Sequence, residues 1–160
     1  MATKMEERQS FIRYYKQQTG TQEVVMKEVA EFAVRMGWKL PPPTEPIDLL
    51  AKQFAEAARE EIRVDKKTER PYKANHAITK SLGNGRQLTF WVDVDEAPRH
   101  QMAKAMTLYR EQMVGEAVIC TNTVDHWNRI NPDQMPLEFP TDFTDDVAWR
   151  LNALEDVTVS

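Results

Sequence analysis

A chain of 160 residues and 18.6 kDa, 41% hydrophobic and 29% charged, is sized for one domain with an appendage and polar enough to remain in solution. Its net charge of −4 excludes a protein that coats nucleic acid over its whole surface. A single cysteine, Cys120, excludes an intrachain disulfide and a cysteine-rich zinc site, and no apolar run approaches the ~20 residues of a membrane span.

The three histidines, His76, His100 and His126, are scattered, so no structural metal is expected. The amino-terminal MATKMEERQS lacks the apolar core of a secretory leader, and a reducing, cytoplasmic setting is expected. Charge is nonetheless uneven. From Lys52 to Arg86 nine basic residues meet five acidic ones, 9 − 5 = +4, whereas from Asp133 onward one basic residue meets seven acidic ones, 1 − 7 = −6.

Glu6 to Gln18 reads as a first helix with Phe11, Ile12, Tyr14 and Tyr15 on its apolar face. A second is expected from near Thr21, its face marked by Val25, Val29, Phe32, Ala33 and Met36 and its end capped by Gly37. Leu40 to Pro46 holds four prolines and cannot be helical. Pro43-x-x-Pro46 matches a polyproline ligand, but a stiff connector is the simpler reading.

The third helix is expected over Ile47–Arg63. Ile47, Leu50, Phe54, Ala57 and Ala58 mark its buried side, and Lys52, Glu56, Arg59 and Arg63 share the opposite face. A polar connector follows, with Lys66, Lys67 and Arg70, and then a strand over Tyr72–Thr79. Asn84-Gly85 is a strong two-residue hairpin signal, because both turn positions need positive φ. Gln87–Val94 returns as the partner strand. Counting outward from the turn pairs Gly83 with Arg86, Ile78 with Trp91 and His76 with Asp93, which leaves apolar side chains on both faces. Such a hairpin is expected to lie partly beneath a helix.

Asp95 is expected to cap the next helix, with Pro98 in its first turn. Met102, Met106, Tyr109, Met113, Ala117, Cys120, Val124 and Trp127 then recur three or four apart as one stripe, on one helix or on two broken near Gly115 or Thr121–Thr123. A Met-rich stripe of this kind is usually core or subunit interface. After Asn131-Pro132 an extended segment leads to a short helix capped by Thr144, with Val147, Leu151 and Leu154 as its apolar edge. The tail is expected to fold back, either beside the long helix or onto the basic surface at Lys66, Lys67 and Arg70.

Motifs for chemistry are sparse. The glycines form neither a phosphate loop nor a nucleophile elbow, and Cys120 sits in the apolar stripe. Asp93, Asp95 and Glu96, near His100, offer hard oxygen ligands for a divalent cation, but a strand end followed by a helix cap explains them more simply. Asp125-His126-x-Asn128 lacks the second histidine of a metal-nuclease motif.

From Glu6 to Val94 the order of three helices, basic connector and hairpin resembles the layout of a winged helix-turn-helix. The fold class expected is thus mainly α with a β-hairpin. A winged-helix-like domain would cover 1–96, a long dimerisation or core helix 97–131, and an acidic tail with a short helix 132–160. That layout implies a non-enzymatic, DNA-binding transcriptional regulator acting as a homodimer without a cofactor. Lys52, Gln53, Arg59 and Arg63 would face the major groove, and Lys66, Lys67, Arg70, Lys80 and Arg86 would neutralise phosphates. Met102, Met106, Tyr109 and Met113 would form the dimer interface. Winged domains also serve as interaction modules, so an accessory subunit that binds protein rather than DNA is the alternative.

Overall fold

A computed structural model describes residues 1–158, the last five by backbone alone, and the side chain of Leu154 therefore lies outside the described residues. The chain is mixed α and β. In order it forms α1 (Lys4–Thr19), α2 (Met26–Arg35), α3 (Pro46–Glu60), β1 (Ile62–Val64), β2 (Pro71–Lys73), β3 (Asn75–Gly83), β4 (Arg86–Asp93), α4 (Arg99–Ile130) and α5 (Thr144–Thr158). Packing gathers these elements into two units, Met1–Asp48 and Leu49–Ser160. No helix among the described residues is long and apolar enough to cross a membrane.

In the first unit, α1 starts at a reciprocal capping box. The Thr3 hydroxyl accepts the Glu6 N–H at 3.2 Å, and the Glu6 carboxylate accepts the Thr3 N–H at 2.6 Å. α2 begins at Met26 rather than near Thr21, because the Thr21 hydroxyl donates to the Glu23 carbonyl at 2.8 Å and holds residues 21–25 in a local turn. Gly37, at φ +100°, closes α2 with the paired bonds Trp38 N–H to Ala33 O and Gly37 N–H to Val34 O. Phe32 is the hub between the two helices, with ring centroids 5.4 Å from Tyr15 and 6.0 Å from Phe11.

The third helix departs most from expectation. It stops at Glu60, and Ile62-Arg63-Val64 is strand β1, paired antiparallel with Pro71–Lys73. The β-branched Ile62 and Val64 favour an extended chain, and the Asp65 turn returns it within reach of a partner. Asp65 Oδ1 accepts the N–H groups of Lys67 and Thr68, each at 2.9 Å. α3 buries none of its side chains, so the apolar side formed by Ile47, Leu50 and Phe54, expected to face a core, is exposed.

Ala74, wholly buried at 0% exposure, joins the two ladders. Its N–H donates to the Glu61 carbonyl at 3.1 Å and its carbonyl accepts the Val94 N–H at 2.9 Å. β3 and β4 form the Asn84-Gly85 hairpin, with φ of +52° and +73° at the turn as a type I′ geometry requires. The expected Gly83–Arg86 pair is present. A bulge between Ser81 and Gly83 then shifts every later pair by one, so Ile78 faces Phe90, Ala77 faces Trp91 and His76 faces Val92. The shift gathers Ile78, Phe90 and Val92 on one face. There they pack with Ala105, Ala97 and Met102 as the core of the second unit.

α4 is a single helix of 32 residues, about 48 Å long, without a break at Gly115. Its N-cap is Pro98, not Asp95, which is engaged elsewhere. The carboxy-terminal segment folds back beside α4. Asn128 holds it with a pair of amide bonds, Nδ2 to the Leu137 carbonyl at 2.9 Å and Oδ1 from the Leu137 N–H at 2.8 Å. Phe139 and Phe143 then share a concavity with Met113, Ala117 and Cys120. Thr144 is the first residue of α5 rather than its cap; Asp142 accepts its N–H at 3.0 Å.

Ile78, 1% exposed at the centre of this core, should be the most sensitive position in the second unit. Ile78→Ala is expected to lower unfolding free energy by about 3 kcal/mol in urea titrations, and a loss below ~1 kcal/mol would mean the hairpin–α4 contact is not what stabilises the unit.

Candidate functional site

The densest polar constellation surrounds Arg63, which the third-helix reading had assigned to a DNA-facing surface. From β1 its guanidinium donates through Nη1 to Asp93 Oδ1 at 2.8 Å and Asp95 Oδ2 at 2.7 Å. Nη2 reaches Asp93 Oδ2 at 2.9 Å and Nε reaches Glu61 Oε1 at 3.2 Å. The fork on Asp93 is bidentate, the strongest form such a pair takes. Tyr72 donates its hydroxyl to Asp95 at 3.0 Å, and Asn75 Nδ2 donates to Glu61 Oε2 at 2.7 Å and to the Ala58 carbonyl at 3.1 Å. The end of α3, β1, β2 and the end of β4 are thereby tied to one cation.

The electrostatics follow from the geometry. The Asp93 carboxyl is held below its usual range, first by the Arg63 bonds and then by the Asp95 backbone N–H. Arg63 is pushed up by Asp93 and Asp95. The Tyr72 phenol is raised because its proton is shared with Asp95. Asp93 and Asp95, the pair weighed above as cation ligands, direct their oxygens at Arg63. Among the described residues no three His, Cys, Asp or Glu side chains gather as a metal site. His76 faces Val92 rather than Asp93, and its Nε2 donates to the Lys73 carbonyl at 3.1 Å.

The remaining basic candidates fall in separate places. Lys52 and Gln53 are exposed on α3. Arg59, in the last turn of α3, stacks on Trp91 at 5.7 Å from the ring centroid. Lys66 and Lys67 are exposed on the β1–β2 turn and Arg70 is half-buried at its end. Lys80 lies over Phe90 at 4.8 Å, and Arg86 opens β4 at the hairpin tip. The nine residues of β3, about 30 Å, separate that tip from the β1–β2 end.

The methionine stripe also divides. Met102 packs on the hairpin core, and Tyr109 receives Lys73 at 5.1 Å and the His76 ring edge-on at 6.2 Å. Met106 is part-exposed, and Met113 faces Phe139 and Phe143. Reading the sequence missed Glu61, Tyr72 and Asn75 as members of the Arg63 network. The available signal was Arg63 flanked by two β-branched residues, a strand pattern at the tail of a helical one.

The Arg63–Asp93 tie predicts a direction with pH. A carboxyl depressed in the folded state contributes stability that is full above its unfolded pKa and lost as pH falls through the folded value. Melting temperature should therefore drop as pH falls below about 4, and Asp93→Asn should flatten that acid limb. Equal acid slopes in wild type and variant would show the tie to be without energetic effect.

No protein-family model matches the chain, and neither a curated protein nor a solved structure is detectably similar to it.

Proposed function

We propose that the chain is a non-enzymatic interaction subunit that completes its apolar packing against a second copy of itself. The observation that carries this reading is exposed area. The chain exposes 14123 Å². A compact 18.6 kDa monomer would expose about 8,000 Å², and two separate compact units of these lengths roughly 10,000 Å². Exposed apolar side chains include Ile47, Leu50 and Phe54 on α3, Val118 and Ile119 on α4, and Val147 and Trp149 on α5. An exposed apolar face such as the one Ile47, Leu50 and Phe54 share on α3 marks an interaction surface, and closed symmetric dimers are the commonest way to cover one. The Arg63 network fits a structural role, since it spends its charges on one another.

A second reading keeps the winged-helix layout and duplex DNA. It is favoured by Lys66 and Lys67, exposed on the β1–β2 turn, and by Lys80 and Arg86 flanking the hairpin tip. It must do without Arg63, which is engaged by three carboxylates.

Light scattering tests the first. The first reading expects a dimer or larger at tens of micromolar, and a folded variant of lower mass for Phe54→Asp, a substitution at a residue that is 67% exposed. A folded wild type with monomer mass at every concentration would sink it. Gel shifts of genomic fragments test the second reading: binding that weakens when Lys66 and Lys67 are both changed to Gln, with a shallower salt dependence, supports it.

A further inference from the structure

Two cations beside the hairpin, Arg59 and Lys73, differ from Arg63 in one respect. Among the described residues, neither Arg59 nor Lys73 forms an ion pair; each rests instead on an aromatic face, Arg59 on Trp91 at 5.7 Å and Lys73 on Tyr109 at 5.1 Å. Both line one concavity of about 520 Å³ between the end of α3, the hairpin and α4, together with His76, Thr79 and Gln112. No acidic side chain lines it. That volume lies within the range of small-molecule sites, and its lining is about as polar as apolar. His76, also in the lining, is buried and its Nε2 donates to the Lys73 carbonyl at 3.1 Å.

We propose that this concavity binds a small organic anion, its phosphate or carboxylate group held by Arg59 and Lys73. An aromatic face positions a cation without neutralising it, and such a contact is weak at an exposed site. The donors of both side chains therefore remain available for an oxyanion, and a charge-assisted bond to one is stronger than the contact it already has. Arg63 shows the alternative in the same unit: a guanidinium meant to tie strands together is surrounded by carboxylates. Trp91 and Tyr109 supply apolar walls for the body of the ligand, and Gln112 supplies a neutral donor and acceptor, while the Thr79 hydroxyl is bonded to that of Thr89 at 3.2 Å. This inference does not depend on association with a second copy, since every group involved belongs to one chain.

The test is an NMR titration of the whole protein at low salt with two probes, phenyl phosphate and benzoate, following the Trp91 indole and Arg59 side-chain N–H signals. Saturable shifts at both signals are expected, and the probe that binds more tightly identifies the anion as phosphate or carboxylate. Arg59→Gln and Lys73→Gln should each weaken binding by about tenfold, while Lys66→Gln, a cation on the β1–β2 turn, should leave it unchanged. Either of the first two variants suffices if the other fails to fold, which the dispersion of the backbone signals reports. Shifts that rise linearly without saturation for both probes would overturn the proposal. So would saturable binding that both site variants leave intact, or that Lys66→Gln weakens equally.

Discussion

Ile78 and Val92, brought to the same face of the hairpin by the bulge before Gly83, meet Ala105 of α4, and the second unit is organised around that contact. Had the ladder run without the bulge, Ile78 would have faced Trp91 and the apolar residues would have been divided between two surfaces. With it, one face packs on α4. The other, carrying Ala77 and Trp91, turns toward the end of α3, where Arg59 covers the indole. Ala74 then links this hairpin to the β1–β2 ladder through two backbone bonds, and its lack of a larger side chain allows the burial.

The unit's cations divide by what stands beside them. Arg63 is fixed by Glu61, Asp93 and Asp95, so its charge is consumed in holding β1 to the end of β4. Arg59, Lys73 and Lys80 lie on Trp91, Tyr109 and Phe90, contacts that orient a charge and leave it available. Counting basic residues along the chain treats these two sets alike. Only the partners tell a structural cation from one that remains open to a ligand.

Much of the fold was legible in the sequence for local reasons. The apolar spacing of Val29, Phe32 and Ala33, the glycines after α1 and α2, and Asn84-Gly85 each act within a few residues, and α1, the end of α2 and the hairpin turn formed close to where they are expected. By contrast, α2 starts five residues late, and the expected strand Tyr72–Thr79 is divided between β2, paired with β1, and β3, paired with β4. What was not legible depended on distant partners. Ile62-Arg63-Val64 continues a helical pattern and becomes a strand because residues 71–73 are there to pair with it. Asp95 has the right character for a helix cap and is drawn instead to Arg63 and Tyr72. The register needed knowledge of a bulge that no residue type announces. Of the Arg63 network, Asp93, Asp95 and Arg63 were singled out separately, two as cation ligands and one as a DNA contact. Their union required the β1 strand.

Ile47, Leu50 and Phe54 on α3 and Val147 and Trp149 on α5 are exposed, and association with a second copy, as proposed, would cover apolar side chains of this kind. Urea unfolding followed across a hundredfold range of protein concentration tests this most directly. If a second copy completes the packing, the midpoint rises with concentration, because mass action favours the state that binds. A midpoint that stays fixed across that range, with a cooperative transition throughout, would contradict the account.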